Sequence, residues 1–294
     1  MVWTLLCLIW GSTWLFIKLG LRDLPPLSFA GIRFVVAFLI LLLVVVIRRT
    51  PLPRSRREWS MITVTGVLTF TLNYGLLFWG EQRTSSGLAA ILQAIIPAFG
   101  LLIAHYYLPS ERLTLTKVAG VALGIAGVVL IFSNQLSSEG SAALWGSVAI
   151  VAGAFAAAYA NVLVKARAGH MDFAVLAAGQ MICGLIPLLS AGVALEGSPM
   201  RFHWTWLAVV SLLYLAIVGT VVAFLLFYWL VRKIEVTKTL LINLVTPLVA
   251  VVLGMIVLGE GMTWRIVVGG AGIMSGIGLI VAKWRRPARP AVSR

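Results

Sequence analysis

The feature that most limits the fold is a row of ten apolar runs of about 20 residues each, joined by linkers too short to form domains. A run of that length crosses the hydrocarbon of a bilayer as an α-helix, which satisfies its own backbone N–H and C=O groups where no water is available. In the first half the runs cover 2–20, 28–47, 59–79, 85–107 and 115–133; in the second, 143–165, 172–195, 205–231, 236–258 and 264–283. Composition agrees: of 294 residues 61% are hydrophobic and 11% charged, and the mean hydropathy is +1.04. The sequence predicts an all-α polytopic membrane protein of ten transmembrane helices. Linkers carry turn or charge signals, as at Asp23-Leu24-Pro25-Pro26, Ser137-Ser138-Glu139-Gly140 and Glu196-Gly197-Ser198-Pro199. The start at Met1 lacks a basic leader and a small-residue cleavage site, so it reads as a first span. Cys7 and Cys183 lie in apolar runs and read as small buried hydrophobes.

A net charge of +14 would suggest nucleic acid in a soluble protein, but its distribution follows the linkers instead. With the N-terminus placed inside, the inner loops and the tail hold 17 Lys and Arg, and the outer loops hold five: Lys18, Arg22, Arg83, Arg201 and Arg265. That asymmetry predicts a bacterial cytoplasmic (inner) membrane protein with both termini cytoplasmic. Arg33, inside the second run, is expected to snorkel to the outer surface.

One motif recurs. Leu92-Gln93-Ala94-Ile95-Ile96-Pro97 has a counterpart in Ile242-Asn243-Leu244-Val245-Thr246-Pro247, about 150 residues later, with an amide four residues before each proline. Proline lacks the N–H that would bond the carbonyl four residues back, so the Gln93 and Asn243 carbonyls lose their helical partner. A backbone group freed in hydrocarbon must face protein, water or ligand, and two breaks at matching places point to a shared midplane site. A pair of packing kinks is the other reading. The correspondence extends to Trp79–Arg83 with Trp229–Lys233, Lys18 with Lys165, Arg33 with Gln180, and Glu111 and Thr114 with Glu260 and Thr263. Five spans per repeat is an odd number, so the second repeat enters the membrane in the opposite sense. Residues 1–136 are expected to form the first repeat and 137–294 the second, with a short basic tail.

All nine carboxylates fall in linkers or at span ends. A charge at the bilayer centre costs roughly 2.5 to 3.5 kcal/mol on insertion scales, and a pump exchanging protons for cationic drugs needs a carboxylate there. The sequence predicts instead an uncharged chamber of amides, hydroxyls and aromatic faces, suited to a zwitterion. The glycines of spans five and ten, Gly120, Gly124 and Gly127 with Gly269, Gly272 and Gly276, form small-residue faces for close packing within the chain or across a dimer. Phosphate-loop, zinc-protease and nucleophile-elbow signatures are missing, and His105, His170 and His203 are scattered. No catalytic residue, cofactor or metal is expected, and no nucleic acid or obligate protein partner.

Trp10-Gly11-Ser12-Thr13-Trp14, Trp79-Gly80-Glu81, the Gln93–Pro97 segment, Glu111-Arg112-Leu113-Thr114 and Gly259-Glu260-Gly261-Met262-Thr263 resemble the drug/metabolite transporter superfamily. Within it the chain is similar to the ten-helix EamA-type permeases, and most like their bacterial aromatic amino-acid exporters of the YddG type. The resemblance implies a central cavity between the repeats, lined by spans one, three and four and by six, eight and nine. Carried over residue by residue, it places Trp10, Trp14, Tyr74, Phe78, Gln93 and Pro97 beside that cavity, with Asn161, Phe224, Tyr228, Asn243 and Pro247 opposite. Trp10 and Trp14 also fit an interfacial aromatic belt, and Tyr74 and Tyr228 also fit plain packing. Ala157 and Asn161 stand where the first repeat has Trp10 and Trp14, so the chamber is expected to be asymmetric. The expected function is a carrier exporting amino acids with aromatic or other bulky neutral side chains by alternating access, with Pro97 and Pro247 as hinges. Export of another small metabolite or drug by the same mechanism is the alternative, and a non-transporting membrane scaffold or sensor a more distant one.

Overall fold

The computed structural model describes all residues except 82, 84–88, 90–91, 132, 134–140, 259–263 and 283–294. The repeat motif at Gly259–Thr263, the linker at Ser137–Gly140, the expected repeat boundary and the basic tail lie outside the described residues, as does the Lys18 side chain.

Among the described residues ten long helices run α1 Val2–Gly20, α2 Pro26–Ile47, α3 Arg56–Glu81, α4 Ile96–Tyr107 and α5 Leu115–Ile131, then α6 Ser141–Arg167, α7 Phe173–Glu196, α8 Trp206–Lys233, α9 Ile242–Leu258 and α10 Trp264–Ala282. A short helix, Val236–Leu240, leads into α9. Within the described residues, five helices are long and apolar enough to cross a membrane by length and composition; shorter apolar helices accompany them. Local chemistry sets their ends. Pro26 takes the first turn of α2, where no N–H is needed, and Ser55 with Glu58 forms a reciprocal capping box on α3. Asp172 accepts from the Ala174 and Val175 amides at the start of α7, and Thr205 from Ala208 at the start of α8. Gly197, at φ 86°, ends α7 in a conformation other residues resist.

The helices pack in pairs that an in-plane two-fold axis would exchange. α5 lies antiparallel against α10: a Cβ built on Gly120 would sit 2.6 Å from the Gly276 carbonyl oxygen, and one on Gly127 2.4 Å from that of Gly269. Only glycine permits backbones that close, so these small-residue faces serve packing within the chain. α2 is likewise antiparallel to α7, Gly31 facing Leu189 and Gly192 facing Ser28. Each of these helices thus packs against its own counterpart running the other way, which is the inverted arrangement. α1 runs beside α9, with Trp3 Nε1 donating to the Lys238 carbonyl at 3.1 Å, as α4 runs beside α6, where Phe99 and Phe155 meet edge to face at 5.4 Å.

The bundle has two ends. The proximal end carries the start of α1 and the ends of α6 and α8; the distal end carries Gly20 and Glu81.

Candidate functional site

Two features of the backbone shape the middle of the bundle. Val67–Asn73 in α3 and Ile217–Val222 in α8 are π-helical, one hydrogen-bond register wider than an α-helix, and they occupy equivalent places in the repeats. Such turns redirect side chains and leave carbonyls available. Trp10 uses one, donating from Nε1 to the Gly219 carbonyl at 3.2 Å. Their neutral apolar and hydroxyl residues give no pattern by which the sequence announces them.

The amide–proline segments supply the second feature, and they differ from each other. In the first, the turn falls at Ala94–Ile95, with Pro97 in the opening turn of α4. In the second, the interruption falls at Leu241, well upstream of Pro247, which sits inside α9. Asn243 Nδ2 donates to the Leu240 carbonyl at 3.0 Å and so caps the short helix. The expectation of two breaks at matching places is corrected: a helix continues past proline where neighbours absorb the lost bond, and here the side-chain cap, not the ring, marks the break.

Between these segments lies a central cavity with about 130 Å³ open to the centres of water-sized molecules. Its wall includes Trp10, Trp14, Tyr74 and Gln93 from the first half, and Asn161, Phe224, Asn243 and Pro247 from the second. Trp10 packs on Phe227 at 5.2 Å and on Phe224 at 6.1 Å between ring centroids, giving a continuous aromatic surface. Phe78, Tyr228 and Pro97 are buried off that wall. Tyr228 instead donates to Gln180 Oε1, whose Nε2 donates to Thr65 Oγ1 at 2.6 Å.

Arg33, expected at the outer surface, and Asn73 are among the wall side chains that the sequence did not assign to the site. Arg33 does not snorkel. It is 4% exposed and points into the bundle, its guanidinium carbon 4.5 Å from the centroid of the Phe34 ring and 4.9 Å from that of Tyr74. The expected uncharged chamber is therefore corrected: its wall holds one cation. The reason is reach: Arg33 sits well inside α2, and the aromatic rings around it take up the guanidinium face before it arrives at the distal surface. A signal was present, because an ionisable residue inside a span points to function by default.

The polar groups at this wall are incompletely paired. Among the described residues, Arg33 Nε, Asn73 Oδ1 and Gln93 Nε2 are buried with no hydrogen-bond partner, and Arg33 has no carboxylate within ion-pair distance. Orphaned buried polar atoms are uncommon and costly, and three of them belong to residues that line this one cavity. No group of three or more metal-binding side chains occurs among the described residues.

At the proximal end, by contrast, the polar groups are paired with one another. Glu111, 1% exposed, accepts from the Val236 amide at 2.8 Å and the Thr237 amide at 3.3 Å, placing its charge at a helix start. Lys165 donates to the Val231 carbonyl and, at 2.8 Å, to that of Ile234, so it caps the end of α8. Glu235 pairs with Lys117 at 2.9 Å and Lys238 at 3.1 Å. Burial raises the Glu235 carboxyl, but the two lysines outweigh that and hold it below its usual value.

Comparison with known proteins matches this architecture. A protein of known crystal structure superposes with a TM-score of 0.83, covering 97% of this chain and 96% of its own, at 18% identity, a likeness of fold alone. Uncharacterized transporter YoaV of Bacillus subtilis is 29% identical over 270 residues, 92% of each chain. Uncharacterized inner membrane transporter YedA of Escherichia coli K12 is 29% identical over 299 residues, covering 98% of this chain and 92% of its own. The profile of the EamA-like transporter family matches residues 1–133 and again 144–282, one match for each half. With ten helices in two inverted sets of five around a central cavity, this chain belongs to the EamA-like transporter family.

Proposed function

We propose that the protein is a carrier that exports amino acids with aromatic or other bulky neutral side chains from the cytoplasm by alternating access. The observation that carries this reading is the cavity between the repeats, whose wall joins aromatic faces to amides and one guanidinium. An amino acid offers a ring or branched chain to Trp10, Trp14 and Phe224, and a charged head to the polar groups. Among the described residues the wall holds no carboxylate, so a cationic drug finds no counter-ion there. The excess of Lys and Arg in the inner linkers supports a proximal end facing the cytoplasm, with both termini on the cytoplasmic side of the inner membrane. Transport then requires the two repeats to rock about the α4 and α9 breaks, opening the cavity to each side in turn.

Proteoliposomes loaded with labelled phenylalanine test this. Saturable efflux that unlabelled phenylalanine inhibits is the expected result; no efflux above protein-free vesicles overturns it. A proton gradient is expected to leave the rate unchanged, since among the described residues no carboxylate lines the cavity.

A further inference from the structure

We propose that Arg33, Gln93 and Asn73 form the subsite that holds the carboxylate end of the transported molecule, so that a single carboxylate is a requirement for binding. This deepens the carrier reading above and rests on it.

The three side chains come from α2, the segment before α4, and the π-helical part of α3, and all three line the central cavity. Each is at least nine-tenths buried: Arg33 is 4% exposed, Gln93 8% and Asn73 9%. Each also keeps a polar atom without a partner, and the hydrogen-bonding senses are specific. Arg33 Nε and Gln93 Nε2 are donors, whereas Asn73 Oδ1 is an acceptor. A carboxylate supplies two acceptor oxygens to the donors, and an adjoining N–H or O–H on the same molecule satisfies Asn73.

Charge narrows the choice of anion. Arg33 is the one charged residue in the described wall, and guanidinium stays protonated at any physiological pH. The cavity wall thus presents one positive charge in surroundings of low polarity, with the Glu81 carboxyl acting on it only from beyond the wall. A monocarboxylate, or the carboxylate of a zwitterion, neutralises it. A phosphate dianion would leave a surplus negative charge among neutral aromatic groups, and a cation would double the positive one. The rings of Phe34, Tyr74 and Phe78 pack around the guanidinium and hold its plane, leaving its edge for hydrogen bonds. The equivalent residue of the second repeat, Gln180, has its amide fully engaged, so the two-fold does not create a second such subsite.

Trp10 and Trp14 border the cavity and supply a signal. The experiment is a tryptophan-fluorescence titration of the full-length protein in detergent with phenylalanine, 3-phenylpropionate, phenylalaninamide and inorganic phosphate. Both carboxylates should saturate, with the amide at least about tenfold weaker, the factor expected when a charge-assisted hydrogen bond is lost. Phosphate should not saturate in the same range. In Arg33→Gln the preference for carboxylate over amide should collapse to within about twofold. Gln93→Leu should reduce it partially. Equal binding of amide and carboxylate by the unaltered protein overturns the proposal, whether or not the variants fold; so does stronger binding of phosphate, or a preference that survives in Arg33→Gln. If carboxylates bind as described but vesicles show no phenylalanine efflux, the amino-acid carrier reading fails and the subsite stands.

Discussion

Arg33 and Gln180 occupy equivalent positions in α2 and α7, and they meet opposite fates. Each sits the same distance inside its helix from the linker that precedes it, Arg33 toward the distal end and Gln180 toward the proximal. Gln180 is wholly buried with both ends of its amide used, accepting from Tyr228 and donating to Thr65. Arg33 is nearly as buried, yet its Nε has no partner among the described residues, and Asn73 and Gln93 nearby are also incomplete. A pseudo-symmetric fold thus keeps one level of the bundle for structure and the other for recognition. Satisfied polar groups stabilise a closed packing; unsatisfied ones hold their interaction in reserve for a ligand.

The sharpest way to break this comparison is to exchange what the two levels lose. Gln180→Leu leaves the Tyr228 hydroxyl unpaired and removes the bond that Thr65 accepts, and should destabilise the protein by about 2 to 3 kcal/mol, read as a lower midpoint of thermal unfolding in detergent. Arg33→Gln in the same assay without ligand should move the midpoint less, because the lost ring contacts and attraction to Glu81 are offset by removal of a costly buried charge. A loss as large as that of Gln180→Leu would make Arg33 a structural residue and erase the distinction. A middle effect is expected at the proximal cap made by Glu111. Glu111→Gln weakens the charged cap on Val236 and Thr237 and should cost about 1 to 2 kcal/mol by the same measurement. The smallest effect is that of pH on Glu235. A carboxyl held low by Lys117 and Lys238 adds stability above its unfolded value and loses it as pH falls through the folded one. Thermal midpoints should therefore fall on the acid side of the normal carboxylate range, and Glu235→Gln should flatten that part of the profile. An unaltered acid slope would assign it to other carboxylates.

Much of the site was legible where a residue type had a single physical consequence. The amide–proline segments were visible because proline removes a backbone donor whatever surrounds it, and the structure sets Gln93, Asn243 and Pro247 on the cavity wall. Pro97 is buried off the wall, since the turn at Ala94–Ile95 absorbs the break before it. The family resemblance places Phe78 and Tyr228 beside the cavity with Tyr74 and Phe224, and one further helical turn carries both into packing. Arg33 was misplaced because snorkelling depends on which neighbours compete for the guanidinium, here three aromatic rings from α2 and α3. The π-helical segments were hidden, because a hydrogen-bond register shift in Val67–Asn73 and Ile217–Val222 arises from tertiary packing rather than from any residue that forces it.

Span number, the odd count that inverts the second half, and the glycine faces of α5 and α10 were determined by sequence alone, because bilayer thickness and the lack of water leave a helical chain few alternatives. Which polar side chains ended paired and which faced the chamber was decided only by tertiary structure. Pairing depends on where a second helix places its groups to within an ångström, and Arg33 and Gln180, matched in position, found different neighbours there.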